Sequence, residues 1–227
     1  MILIPVITQD LAWNCLRSLD VDPATLIVVD NSSHGLDLPV VPGKLVRFGW
    51  NIGVAHAWNI GIRTALDNNA GTLTVCSQSI VFGPRGTADL IHANANTDEW
   101  GAEYIGMGWH LNTFTRKFMQ TVGFFDENFY PAYMEDTDML YRMGLLGIPS
   151  PRENGRTRPY FTIDAELAGT ALVLKGGEAH VDFDGLRQYY IRKWGGDQGH
   201  ERYVSPFDSD HDVNWWPGVD SAGEEEE

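Results

Sequence analysis

Four consecutive aliphatic residues, Leu26-Ile27-Val28-Val29, run directly into the polar cluster Asp30-Asn31-Ser32-Ser33. A run this short and this uniformly apolar reads as a strand buried on both faces. Such strands belong to parallel sheets with helices packed on each side. The residues before it agree: residues 2–7 form a first β-branched run, and Asp10 to Leu19 repeats apolar side chains at helical spacing through Leu11, Cys15, Leu16 and Leu19. Strand, helix and strand with short connections predict a βαβ unit. Leu45–Phe48 is then a third strand, a helix follows Asn51, and Thr72–Cys76 is a fourth strand. Further on, Ile80–Phe82 is apolar, Pro84–Asn94 reads as a helix, residues 103–114 as strand, residues 149–160 as loop, Phe161–Leu174 as one or two strands, and Leu186–Trp194 as a helix. The expected class is α/β, a mostly parallel sheet flanked by helices in a single domain.

With 227 residues the chain can bury a substantial core. The net charge of −15 is uneven: residues 203–227 hold eight acids and no Lys or Arg. The expected division is therefore a domain over 1–205 and an acidic tail over 206–227. An acidic body lacks the basic footprint of a duplex-binding protein, so nucleic acid is not an expected partner. No apolar run approaches the ~20 residues of a membrane span. The N-terminal Met1–Ile7 lacks the basic region of a signal peptide, so a cytoplasmic location is expected. Cys15 and Cys76 have no metal or redox spacing and read as reduced core thiols.

The stretch Val122 to Gly147 reads VGFFDENFYPAYMEDTDMLYRMGLLG. A turn at Gly123 leads through Phe124-Phe125-Asp126-Glu127 into the aromatic loop Phe129–Tyr133, and a helix is entered at Glu135-Asp136. Met139, Leu140, Met143 and Leu146 mark its buried stripe. Spacing places Asp136 on that stripe, and Asp138 off it, one turn before Arg142. A carboxylate aligned with the buried face on a first helical turn is a candidate site residue. Acids at helix starts also simply offset the macrodipole, and spacing does not separate the two readings.

The ordered set Gly123-Phe124-Phe125-Asp126-Glu127, Tyr133-Met134-Glu135-Asp136-Thr137-Asp138, Arg142 and Gly147 resembles the signature of family-2 glycosyltransferases of GT-A fold. That resemblance implies an inverting transferase that moves a sugar from a nucleotide-diphosphate sugar to a glycan or protein hydroxyl. Asp136 would be the catalytic base, with Glu135 its companion. Asp30 falls where these enzymes grip the nucleotide, although Asp-Asn-Ser is equally a turn former. Asn51, Gly53 and Asn59 resemble a further donor element of the family, and Pro5, Ser77 and Ser79 join them as expected donor-binding residues. Trp109, His110 and Tyr133 are expected to shape the acceptor and sugar pocket, with core packing as the alternative. Arg192 and Lys193 are expected near the leaving diphosphate, or on a solvated helix face. Ser79 stands where the family carries a metal-ligating Asp, and His180 is the remaining metal candidate. A hydroxyl is a poor ligand for a hard divalent cation. The expected cofactor is thus weakly bound Mn²⁺ or Mg²⁺, with metal-independent catalysis as the alternative. A silent nucleotide-sugar binding module and a nucleotidyltransferase on a related fold are the other readings.

Overall fold

The computed structural model describes residues 1–82, 102–104, 108–148, 161–163 and 181–208. The expected helix over Pro84–Asn94, the loop over 149–160, the strand beyond Ile163, His180 and the tail after Asp208 lie outside the described residues.

β1 (Ile2–Val6) lies between β2 (Leu26–Asp30) and β4 (Thr72–Cys76) and is parallel to both. β3 (Lys44–Arg47) extends the sheet beside β2, again parallel. Beyond β4, β7 (Leu111–Thr115) and then β6 (Ala102–Tyr104) join antiparallel, so the order is β3-β2-β1-β4-β7-β6. A two-stranded sheet pairs β5 (Ile80–Phe82) with β8 (Phe161–Ile163). The expected α/β class is correct. The single strand expected over 103–114 is instead two strands, because antiparallel neighbours need a reversal between them; a 3-10 turn at Gly108–His110 leads into β7.

Side chains alternate between the two faces of the sheet. Leu3, Ile27, Val29, Leu73 and Val75 pack against α2 (Val54–Asp67), while Ile4, Val6, Leu26, Val28 and Cys76 lie with α1 (Gln9–Ser18). Both faces are therefore covered, which is why the run 26–29 contains no polar residue. Each fully buried Leu, Ile or Val contributes about 1.5–3 kcal/mol. α2 lies close to β1 because its contact side is small: a Cβ added at Gly61 would sit 2.5 Å from Leu3 Cδ2. Ala55 and Ala57 are buried there too.

α3 (Arg116–Val122) starts at Thr115, whose hydroxyl accepts from Phe118 N at 3.1 Å, and stops at Gly123 with φ 80. α4 (Glu135–Leu145) begins at Glu135 as expected. α5 (Phe183–Trp194) is capped by Asp182 and closed by Gly195 in the left-handed region. α4, α5 and Phe129 enclose a third apolar cluster with Tyr190 and Trp194. Packing continues through the last described residues, where Phe207 meets Tyr189 edge-on at 5.9 Å. The thiols of Cys15 and Cys76 are free and buried, with sulfurs 4.0 Å apart. Among the described residues no helix is long and apolar enough to cross a membrane.

Candidate active site

The strand order reverses between β1 and β4, and in open α/β sheets a ligand crevice forms outside the carboxyl ends at such a point. Here those ends are stitched by a residue that the sequence reading passed over. Gln78 Oε1 accepts from Ile7 N at 2.9 Å and from Thr8 N at 3.2 Å. Next to it, Ser77 N donates to His110 O at 2.7 Å, and the Ser77 and Ser79 hydroxyls bond to each other at 2.9 Å. Pro5 stays within β1, in register with Val29.

At the end of β2, Asp30 is fully buried and its four acceptor positions are filled. Oδ1 takes Ser32 N at 3.0 Å and Ser32 Oγ at 2.7 Å; Oδ2 takes Leu36 N at 2.7 Å and Arg47 Nε at 2.9 Å. Burial alone would raise its pKa, but the Leu36, Ser32 and Arg47 donors outweigh it and hold the carboxyl below the usual range. Asp30 therefore folds the 30–36 loop itself. The side-chain oxygen of neighbouring Asn31 is buried and has no partner among the described residues. Asn31 N, meanwhile, is fixed to Val6 O at 2.7 Å. The amide of Asn31 is thus the acceptor left over at this strand end.

The opening of α2 is joined to the aromatic loop. Gly53 N donates to Asn51 Oδ1 at 2.9 Å, Val54 N to Pro131 O at 2.9 Å, and Tyr130 Oη to Asn51 O at 3.0 Å. Gly53, at φ 85, brings the backbone close to Pro131: an added Cβ would lie 3.0 Å from that carbonyl. Deeper in α2, Asn59 clamps Phe125 from both sides, Oδ1 accepting from its N at 2.8 Å and Nδ2 donating to its O at 2.9 Å. Nδ2 also reaches Glu127 Oε1 at 2.8 Å. Asn59, expected at the donor, is committed to holding this loop, because a buried amide must satisfy both its ends.

The clamped loop leads through Tyr133 and Met134, both at positive φ (80 and 70), into Glu135 and Asp136. Two consecutive non-glycine residues in the left-handed region are strained and persist only where their surroundings hold them. Glu135 is 7% exposed, and its Oε2 has no partner among the described residues. Burial, reinforced by Asp136 and Asp138, pushes its pKa up to about 8. Asp136 is half-buried, and its Oδ1 accepts from Thr137 N at 2.7 Å. Burial lowers the pKa of His110, while the Asp136 carboxylate pulls it back up, so the two belong to one electrostatic neighbourhood. Tyr133 packs its ring on Phe183 at 4.8 Å.

The stripe expectation is reversed. Asp138, not Asp136, is fully buried, and Leu146 is exposed. The buried face runs through Glu135, Asp138, Met139, Arg142 and Met143, so apolar residues mark only part of it. Its charges are paired inside. Asp138 Oδ2 accepts from Arg142 Nε at 3.0 Å, and Oδ1 accepts from Trp194 Nε1 at 2.9 Å and from Lys193. Lys193 Nζ also donates to Asp126 Oδ2 at 2.9 Å, as does Tyr189 Oη at 2.7 Å. Two acids and two bases thus form a buried group of zero net charge. Lys193, expected at a diphosphate, is enclosed in this group, whereas Arg192 is exposed. Trp109 is likewise a core residue, packed against Trp58 and Phe125 at 6.1 and 6.0 Å.

No family model matches the chain. A galactofuranosyl glycosyltransferase of Leishmania donovani is 48% identical over 52 residues, which is 22% of this chain and 12% of that protein. Among solved structures, the mannosyltransferase PcManGT of Pyrobaculum calidifontis, in complex with GDP-Man and Mn²⁺, is similar at 14% identity and TM-score 0.44. The match covers 64% of this chain and 52% of that one. TarS of S. aureus, residues 1–349, is similar at 10% identity and TM-score 0.40, covering 62% and 54%.

Proposed function

We propose that the chain is a glycosyltransferase that moves a sugar from a nucleotide-diphosphate sugar to an acceptor hydroxyl, with inversion and with Asp136 as general base. The observation that carries this reading is the division of labour within residues 122–147. Asp126, Asp138 and Arg142 are buried in a neutral network with Lys193. Of the three acids on the first turn of α4, Asp136 is the one left half-buried, beside His110 and a Glu135 that burial keeps protonated near neutrality. The resemblance to family-2 enzymes and the short stretch shared with a galactofuranosyl glycosyltransferase support the same class.

In this mechanism Asp136 accepts the proton of the acceptor hydroxyl as its oxygen attacks the anomeric carbon. The bond to the diphosphate breaks on the opposite face, and the electron pair leaves with the diphosphate. A base of this kind contributes typically ~10²–10⁴-fold in rate. Protonated Glu135 keeps a second negative charge away from the same helix end. Among the described residues no group of three His, Cys, Asp or Glu is placed to hold a metal ion, and the Ser77 and Ser79 hydroxyls bond to each other. These residues do not fit a protein-held divalent cation, so no step is routed through one.

The test is turnover of a panel of nucleotide sugars against mono- and oligosaccharide acceptors, with product anomers assigned by NMR. A retained anomeric configuration refutes the inverting step. Ser79, standing where the family carries a metal-ligating Asp, favours a second reading, a silent nucleotide-sugar binding module. Binding of nucleotide sugars with neither transfer nor hydrolysis would establish that reading instead.

A further inference from the structure

Phe48, Trp50 and Tyr130 leave large parts of their rings in solvent, at 44%, 55% and 47% exposure. All three stand at the carboxyl rim of the sheet: Phe48 and Trp50 follow β3 directly, and Tyr130 belongs to the aromatic loop that ends at Glu135 and Asp136. The rings are held in place. Phe48 meets Trp50 edge-on with centroids 6.4 Å apart and leans on His56 at 6.0 Å. Tyr130 is tethered through its hydroxyl to Asn51 O, and its ring lies against Gly53. Rings fixed in this way lose little freedom when something settles on them.

Polar groups border the rings. Glu127 is bound by Asn59 and lies 3.3 Å from His56 Nδ1 and 3.6 Å from Arg63 Nη2, partly open to solvent. A sugar ring has matching chemistry, with an apolar C–H face and a hydroxyl rim. An aromatic face receives the former, and carboxylate, imidazole and guanidinium groups receive the latter. The net charge of −15 disfavours a polyanionic chain here.

We propose that Phe48, Trp50 and Tyr130 form a stacking surface for the sugar rings of a neutral oligosaccharide acceptor, whose terminal hydroxyl is thereby led to Asp136. The assignment rests on the glycosyltransferase reading for the acceptor's role, but not for the binding itself.

The experiment uses the full chain and two variants, Trp50→Ala and Phe48→Ala, at positions where the rings are exposed. Binding of galactose-, mannose- and glucose-based oligosaccharides of two to five residues is followed by tryptophan fluorescence and by ligand-observed NMR. Nucleoside diphosphate binding is measured in parallel, and transfer kinetics are taken with a nucleotide sugar. The expected result is that at least one oligosaccharide binds the wild type, that each variant weakens it about tenfold or more, in line with ~1.4 kcal/mol per decade, and that the acceptor KM rises while nucleotide binding and kcat stay. Unchanged oligosaccharide binding in both variants overturns the proposal. So does a loss that falls on the nucleotide, or a dimer in the wild type that the variants dissociate. Oligosaccharide binding that depends on Trp50 in a chain that turns over no nucleotide sugar refutes the transferase reading and leaves the surface standing.

Discussion

Replacing Glu135 by Gln separates the burial of this acid from its chemistry. Burial, with Asp136 and Asp138 adding to it, raises the pKa from 4.5 to about 8. A carboxyl with a raised folded-state pKa gives stability that is complete below 4.5 and is lost as pH climbs toward 8, because the unfolded chain releases the proton first. At ~1.4 kcal/mol per unit, keeping the proton at pH 7 costs at most on the order of 3 kcal/mol. Gln has nearly the same shape and nothing to ionise. The difference in stability, variant minus wild type, should therefore grow steadily from pH 5 to pH 8. For a chain of this length each kcal/mol moves Tm by about 2–4 °C, so a cost of that size should widen the gap in Tm by roughly 6–12 °C. Scanning calorimetry of both proteins at pH 5, 6, 7 and 8 reads this directly, and other titrating groups cancel in the difference. Tm curves that stay parallel across that range would refute the buried, protonated Glu135. Because the amide mimics the neutral acid, the variant should also keep most of its transfer activity at pH 7.

Asp136→Asn should lower transfer by ~10²-fold or more while nucleotide binding and Tm hold; residual activity above about a tenth of wild type ends its role as base. Lys193→Met strands Asp126 and Asp138 without their shared cation and should cost about 3–5 kcal/mol in urea unfolding. An unchanged urea midpoint there would mean that the lysine is free for another partner. Truncation after Asp208 removes a strongly acidic segment and should leave Tm and nucleotide binding as they are, which thermal shift measures. Calorimetry with Mn²⁺ should show no micromolar binding to the protein alone; such binding would place ligands outside the residues described.

The sheet was legible because its strands are short, aliphatic and bounded by polar turns: Leu26–Asp30 and Thr72–Cys76 stand where the sequence puts them. The start of α4 was legible too, from the pair Glu135-Asp136 after an aromatic loop. The sequence reading failed where charge is buried. A period count treats Asp138 and Arg142 as solvent-facing, yet both have zero exposure. Lys193, which pairs with Asp138, comes from a helix more than fifty residues away, and no local pattern carries that distance. The adjacent Trp194, which donates to the same carboxylate, was the available signal, since a Lys-Trp pair on a helix with Tyr189 and Tyr190 has its apolar face around the charge. Asn59 and Asp30 carry a structural role that no local pattern shows. Their positions match donor-site elements, but the fold uses their hydrogen-bonding capacity itself.

The buried charges and the strained loop serve one another. Tyr133 and Met134 hold a conformation that an isolated peptide abandons, and the cost is of order 1–3 kcal/mol for each such residue. On the upstream side, Asn59 fixes Phe125, and Val54 N fixes Pro131. On the downstream side, Asp138 is tied to α5 through Lys193 and Trp194, so α4 cannot turn about its axis to relax the bend. Arg142 adds a bond to Val122 O at 2.7 Å, which fixes α4 to the end of α3. Glu135 and Asp136, which lie between these clamps, are thereby set on the first turn of a helix at the carboxyl rim of the sheet. A network neutral in sum does this without placing net charge beside Asp136.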